Sequence, residues 1–154
     1  MFDTKILGTD EDSIAYAAKL LSQGEVVGMP TETVYGLAAN AFDEGAVRKI
    51  FAAKGRPADN PLIVHISDIS QLEGLVDKIP PLAVKCAEKF WAGPLTMIMP
   101  KSEKIPMVTS GGLDTVGIRM PSHKSAYLSL RLPYRRTIGK PFRKPVTYNS
   151  TARP

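Results

Sequence analysis

Apolar positions along the chain switch between two periods. Ile14, Ala17, Ala18 and Leu21 recur at spacings of three and four, which predicts a helix capped at Asp12 or Ser13 and stopped by Gly24. The run "EVVGMP" reads as a short buried strand ended by Pro30. A turn carrying Thr31, Glu32 and Thr33 follows, and the chain resumes as the apolar run "VYGLAANAF". "DEGAVRKIFAAKG" predicts a second helix: Asp43 and Glu44 suit its first turn, Val47, Ile50 and Phe51 share a face, and Gly55 is its C-cap. After a polar loop, "LIVHI" has strand character. "IPPLAVKCAEKFW" reads as an amphipathic helix with proline near its start, and "LTMIMP" and "TVGIRMP" as two further strands. Strands and helices are interspersed rather than segregated, which argues an α/β fold. No internal repeat or low-complexity segment is present.

Composition narrows the setting. A chain of 154 residues fits one domain with a sizeable core. Apolar content is 44%, and no stretch approaches the ~18 unbroken apolar residues of a membrane span, so no membrane partner is expected. The acidic start, with Asp3, Asp10, Glu11 and Asp12, is unlike a secretory signal. Cys86 stands alone, with only His65 and His123 beside it. That excludes a disulfide framework or a zinc site within the chain and points to the cytoplasm. The net charge of +5 is unevenly placed. Residues 1–123 carry 12 Lys/Arg against 15 Asp/Glu, a balance of −3, while residues 124–154 carry 8 Lys/Arg and no acid. Such asymmetry is the usual mark of a nucleic-acid arm.

Candidate chemistry gathers where strands and helices end. Thr31 and Thr33 follow a strand, Lys54 and Arg56 follow a helix, Asn60 lies in a loop, and His65 and Arg119 come late in strands. Open α/β sheets bind ligands at such places. Lys54 and Arg56, two apart, suit a polyphosphate: one is a point charge and the other a planar fork. Arg119 in an apolar run needs an anion, either a ligand carboxylate or a structural acid. Bland alternatives stand beside each. Lys54 and Arg56 could offset a helix dipole, His65 could be a structural histidine, and Thr31 and Thr33 could only shape a turn. Trp91 and the methionines at 97, 99, 107 and 120 read as packing. The GxxxxGK[ST] and GxGxxG phosphate loops are absent.

Taken together, "PTETVYGL", "KGRPADNPLIVHI", "WAGPLTMIMP" and "GGLDTVGIRMPSH", in that order and spacing, resemble the YrdC-like family of threonylcarbamoyl-AMP synthases. The resemblance covers about Gly24 to His123. It implies a twisted mixed sheet with flanking helices and a concave, positively charged face. It also implies a nucleotidyltransferase reaction in which L-threonine, bicarbonate and ATP, with Mg2+, give threonylcarbamoyl-adenylate and pyrophosphate. The product feeds a downstream threonylcarbamoyl transferase machinery that modifies adenosine 37 of tRNA. By motif, Lys54 and Arg56 would hold the ATP phosphates and act in catalysis, with Asn60 and Thr115 as further ATP contacts. Thr31, Thr33, His65 and Arg119 would grip L-threonine. A second reading is a double-stranded RNA or tRNA-binding module without catalysis. A third, the related domain of hydrogenase maturation proteins, fits poorly with a chain lacking zinc-finger cysteines.

Relatives of this kind continue after "RMPSH" into a Ser-x-Asn segment that completes the nucleotide site. This chain reads "SAYLSLRLPYRRTIGKPFRKPVTYNSTARP" instead. Codons permitted for Tyr134 to Thr151, read one nucleotide later, can encode I-A-A-P-S-A-N-L-S-G-N-P-S-P-T-T, the segment such relatives carry here. Residues 1–123 are therefore expected to be an incomplete YrdC-like domain. Residues 124–154 are expected to be a frameshifted, basic, proline-bearing remnant with little regular structure and no site residue, leaving the chain aggregation-prone and of doubtful activity.

Overall fold

The structure is a computed structural model and describes residues 4–55, 57, 59–131 and 146–149. Helix α1 spans Glu11–Ser22, and its N-cap is Asp10, whose carboxylate accepts the Ser13 N–H at 2.9 Å. The cap lies two residues earlier than the apolar spacing suggests, because Glu11 and Asp12 extend the helix as favourable first-turn charges. Strand β1 (Val27–Pro30) turns back into β2 (Tyr35–Asn40), the apolar run after the threonine-rich turn. Helix α2 (Glu44–Lys54) has the expected ends: Asp43 caps it, and Gly55 closes it in the left-handed conformation, φ 59°. Next come β3 (Ile63–His65), a 3-10 turn over Ile69–Gly74, α3 (Pro81–Phe90), β4 (Thr96–Pro100) and β5 (Thr115–Arg119). The 3-10 turn was not foreseen from the pattern. Its start is fixed by a reciprocal cap between Asp68 and Gln71.

The sheet is mixed, in the order β1-β2-β6-β3-β5-β4. Among the described residues only β3 and β5 pair in parallel, with His65 opposite Arg119 and Ile63 opposite Gly117. The other pairs are antiparallel. One core cluster joins Val64, Ile66, Met99, Val116 and Ile118 to Leu72 and Ile105. A second sets Val47, Ile50 and Phe51 of α2 against Ala39 and Leu62. This is the expected α/β mixed sheet with flanking helices.

The expectation of little regular structure after residue 123 needs correction at the described residues. Lys124–Arg131 forms helix α4, and Val146–Asn149 forms β6, inserted between β2 and β3. The reason lies in the pattern itself. Ala126 and Leu130, four apart, bury one face of α4 against Leu21, Met29 and Ala38. Val146–Asn149 supplies a backbone ladder to two strands that would otherwise lack a partner on that side. The prolines at 133, 141 and 145 lie outside the described residues.

Candidate active site

The turn Thr31–Val34 is the tip of the β1–β2 hairpin, just past the last strand pair, Pro30 with Tyr35. Thr31 holds it closed. Its N–H donates to the Val34 carbonyl at 3.1 Å, and its hydroxyl donates to the same carbonyl at 2.8 Å. The hydroxyl oxygen also accepts from the N–H groups of Thr33 and Val34. Thr31 is buried and its hydroxyl belongs to the turn, one of the two readings open from sequence. Thr33 is the residue the turn presents: its Oγ1 lies 3.0 Å from that of Thr31 and accepts from Arg119 Nη2 at 3.2 Å.

Arg119 ends β5 and is 5% exposed. Its Nε donates to the Gly93 carbonyl at 3.3 Å, and its Nη2 makes a 2.7 Å ion pair with Glu32 Oε1. Glu32 Oε2 accepts the Ser122 N–H at 3.2 Å. Glu32 thus links the hairpin tip to the segment that follows β5. Partial burial pushes its carboxyl up, but the hydrogen bonds and charge of Arg119, with backbone donors, outweigh that and hold it below the ordinary carboxylate value. Arg119 therefore meets a structural acid, the second of its two sequence readings. Sequence reasoning placed Glu32 in the turn with Thr31 and Thr33 but assigned it no part. The signal available was an unexplained acid two positions from a strand end, in a chain with a buried arginine.

His65 is the partner of Arg119 across β3 and β5, so both project from the same face of the sheet. It is fully buried. Burial first, and the Arg119 charge second, bring its pKa down to about 3, so it is neutral at physiological pH. A neutral imidazole beside a guanidinium can offer one donor and one acceptor without adding positive charge.

Of the remaining sequence candidates, Thr115 lies on the sheet itself. Thr115 begins β5, opposite Pro100, four residues and about 13 Å along the strand from Arg119. Asn60 is exposed in the loop entering β3, at the same end as Thr115. That loop is fitted closely to residue 111: a Cβ on Gly111, φ 61°, would meet the Asp59 carbonyl at 2.8 Å and the Pro61 nitrogen at 2.9 Å. Lys54 is the last residue of α2. Arg56 lies outside the described residues. The structure thus brings Thr31, Thr33, His65 and Arg119 into one cluster with Glu32. Asn60 and Thr115 share the other end of the β3–β5 pair, away from that cluster.

Comparison with known proteins gives this arrangement its context. A family model covering Sua5, YciO and YrdC, described as telomere recombination, matches residues 19–143. The chain is 55% identical over 126 residues to the threonylcarbamoyl-AMP synthase of Pyrococcus abyssi, covering 82% of this chain and 37% of that protein. It is 53% identical over 129 residues to the protein of the same name from Bacillus subtilis, covering 83% and 37%. The chain therefore spans little more than a third of these relatives. Among solved structures, P. abyssi Sua5 complexed with L-threonine superposes with a TM-score of 0.83 at 49% identity, over 91% of this chain and 38% of that one.

Proposed function

This chain belongs to the Sua5/YciO/YrdC family, and from that premise we propose that its site performs the synthase reaction named for its relatives. The amine of L-threonine and bicarbonate would form a carbamate with loss of water, and a carbamate oxygen then attacks the α-phosphorus of ATP. Threonylcarbamoyl-AMP and pyrophosphate are the products. The observation that carries the reading is the buried Arg119, with Thr33 and His65 beside it at the C-terminal end of β3 and β5. The similarity to a protein solved with L-threonine supports it. Arg119 would receive the carboxylate of threonine, and Thr33 and the neutral His65 its polar atoms. Thr31 enters as the residue that holds Thr33 in place.

Lys54 and Arg56 would neutralise the triphosphate, and Asn60 and Thr115 would contact the nucleotide. An amino acid at Arg119 joined to a nucleotide reaching towards Thr115 fits a separation of about 13 Å along β5. Mg2+ is usually held by one or two carboxylates and substrate phosphates. Among the described residues no group of three or more His, Cys, Asp or Glu is disposed to bind a metal. In this reading Mg2+ arrives on the triphosphate. No step needs a protein nucleophile: positioning and charge neutralisation suffice, in a pocket that keeps water from the carbamate and the mixed anhydride. Among the described residues no helix is long and apolar enough to cross a membrane. A cytoplasmic setting, with the product passed on for tRNA modification, completes the proposal.

The test is pyrophosphate release by the chain, with threonine and bicarbonate omitted in turn. Release that requires both is expected. Absence of release, with tRNA binding that weakens as salt rises, would favour the RNA-binding module instead.

A further inference from the structure

The Arg119–Glu32 ion pair has a chemical meaning beyond holding the hairpin tip. Arg119 is almost fully buried, and its partner's side chain is only 20% exposed. A free carboxylate ligand reaching Arg119 must displace Glu32 or share the guanidinium with it. Displacement alone would leave a partly buried carboxylate without its cation, which is unfavourable. An α-amino acid avoids that outcome because it brings both charges: its carboxylate replaces Glu32 on Arg119, and its ammonium replaces Arg119 on Glu32.

We infer that Glu32 is a specificity residue of this site, the acceptor for the α-ammonium of the incoming amino acid, so that the resting ion pair opens by charge exchange when a zwitterion enters. The inference rests on the reading of the site as a threonine site. Three features support it. Glu32 Oε2 is fixed by the Ser122 N–H at 3.2 Å, so the carboxylate stays anchored while Oε1 changes partner. Arg119 keeps two uncharged contacts, Gly93 O and Thr33 Oγ1, and stays in place when Glu32 turns away. His65, the other titratable neighbour across the strand pair, is neutral and cannot serve as the ammonium's counter-charge. Glu32 is therefore the anion the structure sets against Arg119. An acid lacking the amine would open the pair without re-pairing Glu32 and would bind poorly. The site thus rejects hydroxy acids of the same shape by charge rather than by size.

Isothermal titration calorimetry on the full chain, with L-threonine and with its 2-hydroxy analogue 2,3-dihydroxybutyrate, tests this. The quantity read is the preference, the ratio of the two dissociation constants. We expect the unsubstituted chain to prefer threonine, Glu32→Gln to shrink that preference at least tenfold, and Glu32→Asp to restore part of it. Circular dichroism of each variant reports whether the fold persists. If Glu32→Gln weakens both ligands equally, Glu32 only positions Arg119 and the inference falls. If it tightens both equally, Glu32 is only an internal competitor, and the inference falls again. If the unsubstituted chain binds threonine without preference over the hydroxy acid, the inference fails and the threonine reading stands. If it binds no threonine, both fail.

Discussion

At the scale of single residues, the buried pair on β3 and β5 gives the sharpest expectations. Folding holds His65 neutral down to about pH 3, whereas in the unfolded chain it takes up a proton near pH 6.5. The unfolded state thus binds more protons between those values, and stability falls as pH drops through that window. The slope for this one group approaches 1.4 kcal/mol per pH unit. Urea midpoints measured from pH 7 to 4 should fall, and His65→Asn should flatten the trend; an equally steep fall in the variant would show that other groups carry it. Two substitutions address the chemistry. Arg119→Lys loses the planar fork and should weaken threonine binding about tenfold, roughly 1.4 kcal/mol, in calorimetry. Arg56→Ala should lose on the order of 2–4 kcal/mol of transition-state stabilisation in kcat/KM, with Arg56→Lys recovering part of it. Unchanged turnover in Arg56→Ala would end its assignment to phosphate. That Arg119 and the threonines need partners was legible in the sequence, because a buried charge and clustered hydroxyls must be satisfied. Glu32 was not, because an acid in a turn has an easy alternative in solvent, and only the fold brings Ser122 and Arg119 to it.

At the scale of elements, the legible parts were those whose local signals agree. Helix α2 has an acid cap, one apolar face and a left-handed glycine, and it forms where all three predict. Strand β2 was seen only as an apolar run, because Leu37, Ala38 and Ala39 do not alternate with polar residues. It lies between two other strands, where a strand needs no solvent face. Helix α4 was missed because its basic, proline-bearing context outweighed a single buried pair, Ala126 and Leu130. Leu130 is 1% exposed, so Leu130→Ala should lower stability by about 2–5 kcal/mol, read from the urea midpoint. A change under about 0.5 kcal/mol would mean α4 is not docked as described. The approach of Gly111 to the loop entering β3 gives a second test. Gly111→Ala adds a Cβ against backbone atoms at a positive φ and should cost about 1–3 kcal/mol. If Asn60 serves the nucleotide, the same change should weaken ATP more than threonine.

At the scale of the molecule, the question is what joins the two halves of the sheet. β1 and β2 lie on one side of β6, and β3, β5 and β4 on the other. β6 pairs at four positions with β2, from Leu37 to Asn40, and at three with β3, from Ile63 to His65. Other links cross the same seam. Leu62 packs in a cluster with Ala39, Ala41 lies in a cluster with Val64 and Ile66, and the Thr109 hydroxyl donates to the Ala41 carbonyl at 2.9 Å. At the site the hairpin tip adds further links, from Arg119 to Glu32 and Thr33 and from the Ser122 N–H to Glu32. A chain ended at Arg131 keeps these links but loses β6, leaving the backbone groups of Leu37–Asn40 and Ile63–His65 on that side without a ladder. The apolar contacts should hold the halves together, but the shared register that aligns the hairpin tip with Arg119 should loosen. The expected result is a lower urea midpoint, with Trp91 fluorescence, which reports the core of the β3–β5–β4 half, no longer coincident with far-ultraviolet circular dichroism. Threonine binding should weaken in parallel, since Glu32 and Thr33 sit on one half and Arg119 on the other. Coincident transitions at the midpoint of the full chain, with unchanged threonine affinity, would show that residues 146–149 do not join the sheet, and would return the segment after Arg131 to the remnant first expected from its sequence.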